Sequence, residues 1–203
     1  MRTLFLKDGN YFFVAFTQSV IYFTYMQHKR TGLDFSKHIV EVTASQDVSV
    51  HFLRVPGTVT DSVKFINTHG ILAVTGDYGN WMFCREFLPG PKECVSDGYW
   101  VEKLKIASKQ NPFTFDSETA RKEVQELRHG DYEWSEEEFE WLDELYDAAD
   151  DGEYSFISKL MDYPSGFDTE MMPSGKKIDY WLLVVFDAFD EICRRMKEQE
   201  KAK

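Results

Sequence analysis

The chain has 203 residues, of which 43% are hydrophobic, 16% aromatic and 29% charged; that is enough apolar material for one packed domain and too many aromatic residues for a disordered acidic chain. Its net charge of -12 is uneven, because residues 1–110 carry 12 Lys/Arg against 10 Asp/Glu, whereas residues 111–203 carry 11 against 25. An acidic half of this kind repels phosphates and favours basic partners, which argues against direct nucleic-acid binding there.

The longest apolar run of the C-terminal half, Tyr180 to Phe186, is far short of the roughly 20 residues a membrane helix needs. The N-terminus is interrupted by Lys7, Asp8 and Gly9 and lacks a small-residue cleavage site, so it makes a poor signal peptide. These features predict a cytoplasmic protein with no membrane partner. Cys84, Cys94 and Cys193 are odd in number and show no C-x-x-C spacing, which argues for reduced thiols rather than disulfides or a cysteine-rich zinc site.

The first half reads as strands. Thr3 to Leu6, Tyr11 to Phe16 and Val20 to Met26 are rich in aromatic and β-branched residues, and Asp8-Gly9-Asn10 supplies a turn after the first. Residues 31–45 admit either a short helix or a strand at Ile39 to Val42, with a helix or loop preferred. Alternation then predicts strands from Val48, over Ser62 to Asn67, over Ile71 to Thr75 and over Trp81 to Phe87, joined as consecutive antiparallel hairpins.

Beyond Pro91 the apolar period changes from 2 to about 3.6. Asp97 is placed as the cap of a helix carrying Trp100, Val101, Leu104 and Ala107 on one face, and Asp116 as the cap of another carrying Ala120, Val124 and Leu127. Ser135-Glu136-Glu137-Glu138 is a capping box for a helix over 135–150, with Phe139, Leu142, Tyr146 and Ala149 as its buried stripe and Trp141 and Leu145 widening it. Tyr154 to Met161 reads as a further short helix and residues 163–177 as an irregular connection. The last helix, over 177–197, repeats Trp181, Leu182, Val185, Phe189 and Ile192 at helical spacing and is expected to pack across the sheet, with Trp181 and Phe186 in the core. The order of elements predicts an α+β fold: an antiparallel sheet portion over 1–90 packed against a helical portion over 91–203, as one unit.

Three features bear on chemistry. Thr75-Gly76-Asp77-Tyr78-Gly79-Asn80 suits a hairpin loop, and it could also form a ligand site in which Asp77 acts beside His69 and Arg85. Without a Lys and a following helix it is not a phosphate-binding P-loop. Cys84, in an alternating run, reads as a small packed hydrophobe rather than a nucleophile. The five histidines show no metal-ligand spacing and the carboxylates no EF-hand order, so neither a metal nor any other cofactor is expected, and no catalytic residue is assigned.

The strongest electrostatic feature is the stretch from Asp131 to Glu153, with 12 acidic residues and no Lys or Arg. Glu136, Glu137, Glu140, Asp143, Glu144 and Asp147 fall mostly opposite the apolar stripe. Such a ridge either keeps the protein soluble or docks on a basic, nucleic-acid-binding surface of another protein, with an exposed Trp134 or Trp141 as anchor. The aromatic last helix offers a possible homodimer contact.

Gly70 to Arg85, containing Val74-Thr75-Gly76-Asp77-Tyr78-Gly79, resembles the "ITGDxGxxxFxR" hairpin of an uncharacterised family of phage and prophage proteins. The Gly98-Tyr99-Trp100-Val101-Glu102-Lys103-Leu104 segment and the Trp-bearing helix from Tyr180 are similar to segments that follow in that family. The resemblance spans roughly residues 48–195 in order of elements, with Val74 where isoleucine is common. It implies a phage or mobile-element origin and a host bacterial cytoplasm, where small acidic proteins often inhibit host defence. Together with the charge it leads to an expected anti-CRISPR-like inhibitor that binds a defence complex by occlusion; the alternative is a small enzyme or ligand-binding protein centred on the Asp77 hairpin.

Overall fold

Period-2 alternation of Val, Ile, Phe and Trp builds a six-stranded antiparallel meander. Its strands are β3 (Ile39–Ala44), β4 (Val48–Arg54), β5 (Val63–Thr68), β6 (Ile71–Gly76), β7 (Trp81–Phe83) and β8 (Leu104–Ala107), each bonded to the next in sequence. Ahead of them β1 (Thr3–Lys7) and β2 (Asn10–Val14) pair with each other as a separate two-stranded sheet among the described residues. The structure, a computed structural model, describes residues 3–7, 10–14 and 29–202, except 59, 86, 91–92, 94, 108–110, 131 and 165–171. The strand expected over Val20 to Met26 lies outside the described residues, as does Cys94.

One sheet face is the core. Leu53, Val63, Phe65, Leu72, Val74, Trp81 and Phe83 are buried on it, and the ladder registers His51↔Phe65↔Val74↔Trp81 and Asn67↔Leu72↔Phe83 place them side by side. Across them lies α5 (Tyr180–Lys201), buried almost continuously from Leu182 to Cys193. Trp100 joins the two layers: it stacks on Phe87 and Phe186 at 4.1 and 5.0 Å and meets Phe83 and Phe189 edge-on. The packing of the last helix across the sheet and the burial of Phe186 are as expected. Trp181, in contrast, is 44% exposed and stacks on Tyr78 at the rim.

The helical region has its own apolar cluster. α2 (Ser117–Arg128), α3 (Glu136–Ala148) and α4 (Glu153–Met161) enclose Ala120, Val124, Leu127, Trp141, Leu142, Leu145 and Phe156. Strand β9 (Phe113–Phe115) pairs with β10 (Lys176–Ile178), so the chain entering α2 is tied to the chain entering α5. The fold is α+β, with the antiparallel sheet first and the helices after.

Three local expectations are corrected. Residues 39–44 form a strand, because β-branched Ile39, Val40, Val42 and Thr43 meet a partner in β4. The helix expected to carry Trp100 through Ala107 ends sooner: α1 spans Asp97–Lys103, its N-cap is Ser96, and Leu104–Ala107 pairs with β7 instead. The open edge of β7 offers backbone hydrogen bonds that outweigh the helical spacing of Leu104 and Ala107. β7 itself stops at Phe83, where the register shifts.

Candidate functional site: the acidic face of α3

Ser135 starts α3 with a reciprocal capping box, in which its hydroxyl accepts from the Glu138 amide while the Glu138 carboxylate accepts from the Ser135 amide at 2.8 Å. These bonds from Ser135, together with one from the Tyr163 hydroxyl, hold the Glu138 carboxyl below its ordinary range. Burial, reinforced by that carboxylate, pushes the Tyr163 phenol up to about 12.

The apolar side of α3 faces α2 and α4 through Trp141, Leu142, Leu145 and Ala148. With 3.6 residues per turn, the same helix must direct Glu136, Glu140, Asp143 and Asp147 to the opposite side, in a line about 16 Å long, with Glu137 and Glu144 alongside. All six carboxylates are exposed. Flanking helices neutralise part of the row: Arg128 pairs with Asp143, Lys159 with Glu144, and Arg121 with Asp150 at 2.7 Å. Among the described residues no ion pair reaches Glu136, Glu137, Glu140 or Asp147. A groove between α2 and α3, lined by Arg128, His129, Asp143, Tyr146 and Asp147 among others, runs beside the row.

Trp141 is not part of this surface. It is 4% exposed, its indole N–H donates to the Lys159 carbonyl at 3.0 Å, and Tyr163 packs edge-on against it. Trp134 is half-buried, and its ring lies 5.3 Å from that of Tyr132. The aromatic rings exposed at this end are instead Tyr132 and Phe139, the latter beneath the Arg128 guanidinium.

The second expected constellation is not assembled. Leu72↔Phe83 and Val74↔Trp81 pairing puts His69 and Arg85 toward one end of β6 and Asp77 at the other, a separation of about 20 Å at 3.3 Å per residue. Asp77 is a structural residue: its carboxylate accepts from the Ser62 amide and hydroxyl at 2.8 and 3.1 Å, and its own amide donates to the Ser62 carbonyl. Gly76, at φ +147, is required there, since a Cβ would lie 2.2 Å from the Ser62 carbonyl oxygen. Arg85 donates to the Tyr99 hydroxyl and lies over the Phe87 and Tyr99 rings. Cys84 is exposed rather than packed, because β7 ends one residue before it, and Cys193 is buried in α5.

One charged constellation escaped the sequence reading. Arg30 bonds Asp97 and Asp190 at 2.6 Å and Asp187 at 3.2 Å, and Asp187 also accepts from the backbone amides of Arg30 and Thr31 and from the Thr31 hydroxyl. Burial opposes the Arg30 charge, but Asp190 and Asp97 outweigh it and raise its pKa. Asp187 and Asp190 sit at helical spacing within an apolar run, and a buried carboxylate of that kind signals a distant cation, though not which one. Every visible bond joins one part of this chain to another, so the constellation locks residues 30–31 to α1 and α5.

Among the described residues no group of three or more His, Cys, Asp or Glu is placed to hold a metal ion, and no helix is long and apolar enough to cross a membrane. Compared with protein-family models, with curated proteins and with solved structures, the chain matches none.

Proposed function

We propose that the protein acts by binding rather than by catalysis. In this reading it is a phage-encoded inhibitor whose α3 face docks on a basic, nucleic-acid-handling bacterial defence complex and occludes it. The observation that carries the reading is the row of exposed carboxylates that no ion pair among the described residues reaches, Glu136, Glu137, Glu140 and Asp147, on a helix whose other side is firmly packed. A row fixed by a buried stripe is pre-organised, so little ordering entropy is lost on docking. Carboxylates one turn apart stand about 5–6 Å from each other, close enough for a groove lined with Lys and Arg to engage several together. The likeness of the Gly70–Arg85 hairpin to phage proteins supports the biological setting.

The test is affinity capture from a nuclease-treated, defence-bearing bacterial lysate, comparing the native chain with a Glu136→Lys, Glu137→Lys, Glu140→Lys, Asp147→Lys variant. A nucleic-acid-handling protein should be retained by the native chain, released by raised salt and lost with the variant. Retention of the same protein by both chains would refute the α3 surface as the contact.

A further inference from the structure

The sheet has a second face. Residues that pair directly across all six strands on the side away from α5 are Thr43, Val50, Ile66, Ala73, Met82 and Ile106, in that order. Five of the six are apolar, Ile106 is 54% exposed, and none of the five belongs to either apolar cluster of the described residues. Above and below the row, Phe52, Ile71 and Val48 extend it on the same face. The band is half-buried at Val50, Phe52, Ile66 and Ala73 and open at Val48, Ile71, Met82 and Ile106, and a continuous apolar band of this extent marks a contact surface.

We propose that this face is the interface of a homodimer, with a second copy of the chain as its occupant. Three observations select that partner. First, the row is self-complementary about its one small residue. A two-fold axis along β6 past Ala73 sets Ile66 of one copy against Met82 of the other, and Val50 against Ile106, while Ala73 leaves room for the two backbones to approach. Second, the charges on these six strands are Glu41, Arg54, Lys64 and Lys105, a net of +2 in a chain of net -12. Glu41 is already paired with Arg54, and Arg54 and Lys64 lie over the Phe52 ring. Like-charge repulsion between two acidic chains is therefore weakest here. Third, six strands about 4.8 Å apart and three to seven residues long present roughly 500 Å² per copy, or about 1,000 Å² for the pair, which reaches the lower bound of a specific interface. The aromatic last helix, the other candidate for self-association, is occupied by its own core between Leu182 and Cys193.

The test is size-exclusion chromatography with light scattering on the full chain across the micromolar range, beside peroxide oxidation of Met82. The native mass should rise from 23.8 kDa toward twice that value, with Met82 slow to oxidise once dimeric. Ile106→Glu and Ala73→Arg should each weaken dimerisation by about tenfold or more, leave far-UV circular dichroism unchanged and expose Met82. A chain that stays monomeric overturns the proposal: with fast Met82 oxidation the face is open, and with slow oxidation it is covered by the chain itself. A dimer that both variants leave intact uses another surface and overturns it equally.

Discussion

Replacing Arg30 by Met removes one cation from a cluster that holds three carboxylates, two of them on the buried side of α5. The Asp187 and Asp190 side chains are 3% and 10% exposed, so both lose the Arg30 charge with little water to replace it. Breaking a buried pair from one side costs about 3–5 kcal/mol. The two amides and the hydroxyl that still bond Asp187 keep the loss at the lower end, about 3 kcal/mol. At about 2–4 °C per kcal/mol for a chain of this size, the melting temperature should fall by roughly 6–12 °C. Urea unfolding followed by tryptophan fluorescence measures the effect, the midpoint moving while the slope stays constant. Adding Asp190→Asn should recover part of the loss, because one buried negative charge is then gone. A single-variant cost under about 1 kcal/mol, the range of exposed pairs, would refute the claim that Arg30 locks residues 30–31 to the helix.

Gly76→Ala should destabilise by about 2 kcal/mol or more, read as a lowered melting temperature, since the new Cβ meets the Ser62 carbonyl at 2.2 Å in a positive-φ backbone. Burial lowers the pKa of His51 below its ordinary 6.5. The unfolded chain therefore takes up the proton first, and stability is present above pH 6.5 and declines as the pH falls below it. His51→Asn should flatten the decline of urea midpoints below pH 6.5. Ser135→Ala removes the hydroxyl half of the α3 capping box and should cost about 1 kcal/mol by thermal melting, with a rise in the Glu138 carboxyl pKa by NMR titration as the bond from the Ser135 hydroxyl is lost while that from its amide stays.

The amino-acid sequence alone determined what depends on neighbours a few residues away. The period-2 runs from Val48 to Thr75 became β4, β5 and β6, and the Ser135 capping box with its apolar stripe became α3 with an acidic outer face, because side-chain direction follows from strand or helix geometry. Only the tertiary structure decided what depends on partners far along the chain. Leu104 to Ala107 fits a helical stripe until the free edge of β7 is present, and Ile39 to Ala44 becomes a strand only beside β4. Trp141 and Trp181 illustrate the same limit: both fall on apolar stripes, yet one is sealed by α4 and Tyr163 while the other lies at the rim over Tyr78. His69 and Asp77, eight positions apart, look like neighbours in the sequence, but a strand running between them holds them at opposite ends of the sheet. The Arg30 cluster closes over contacts as much as 160 residues apart. No local pattern encodes such a contact, because its energy exists only once the intervening chain has folded and excluded water from it.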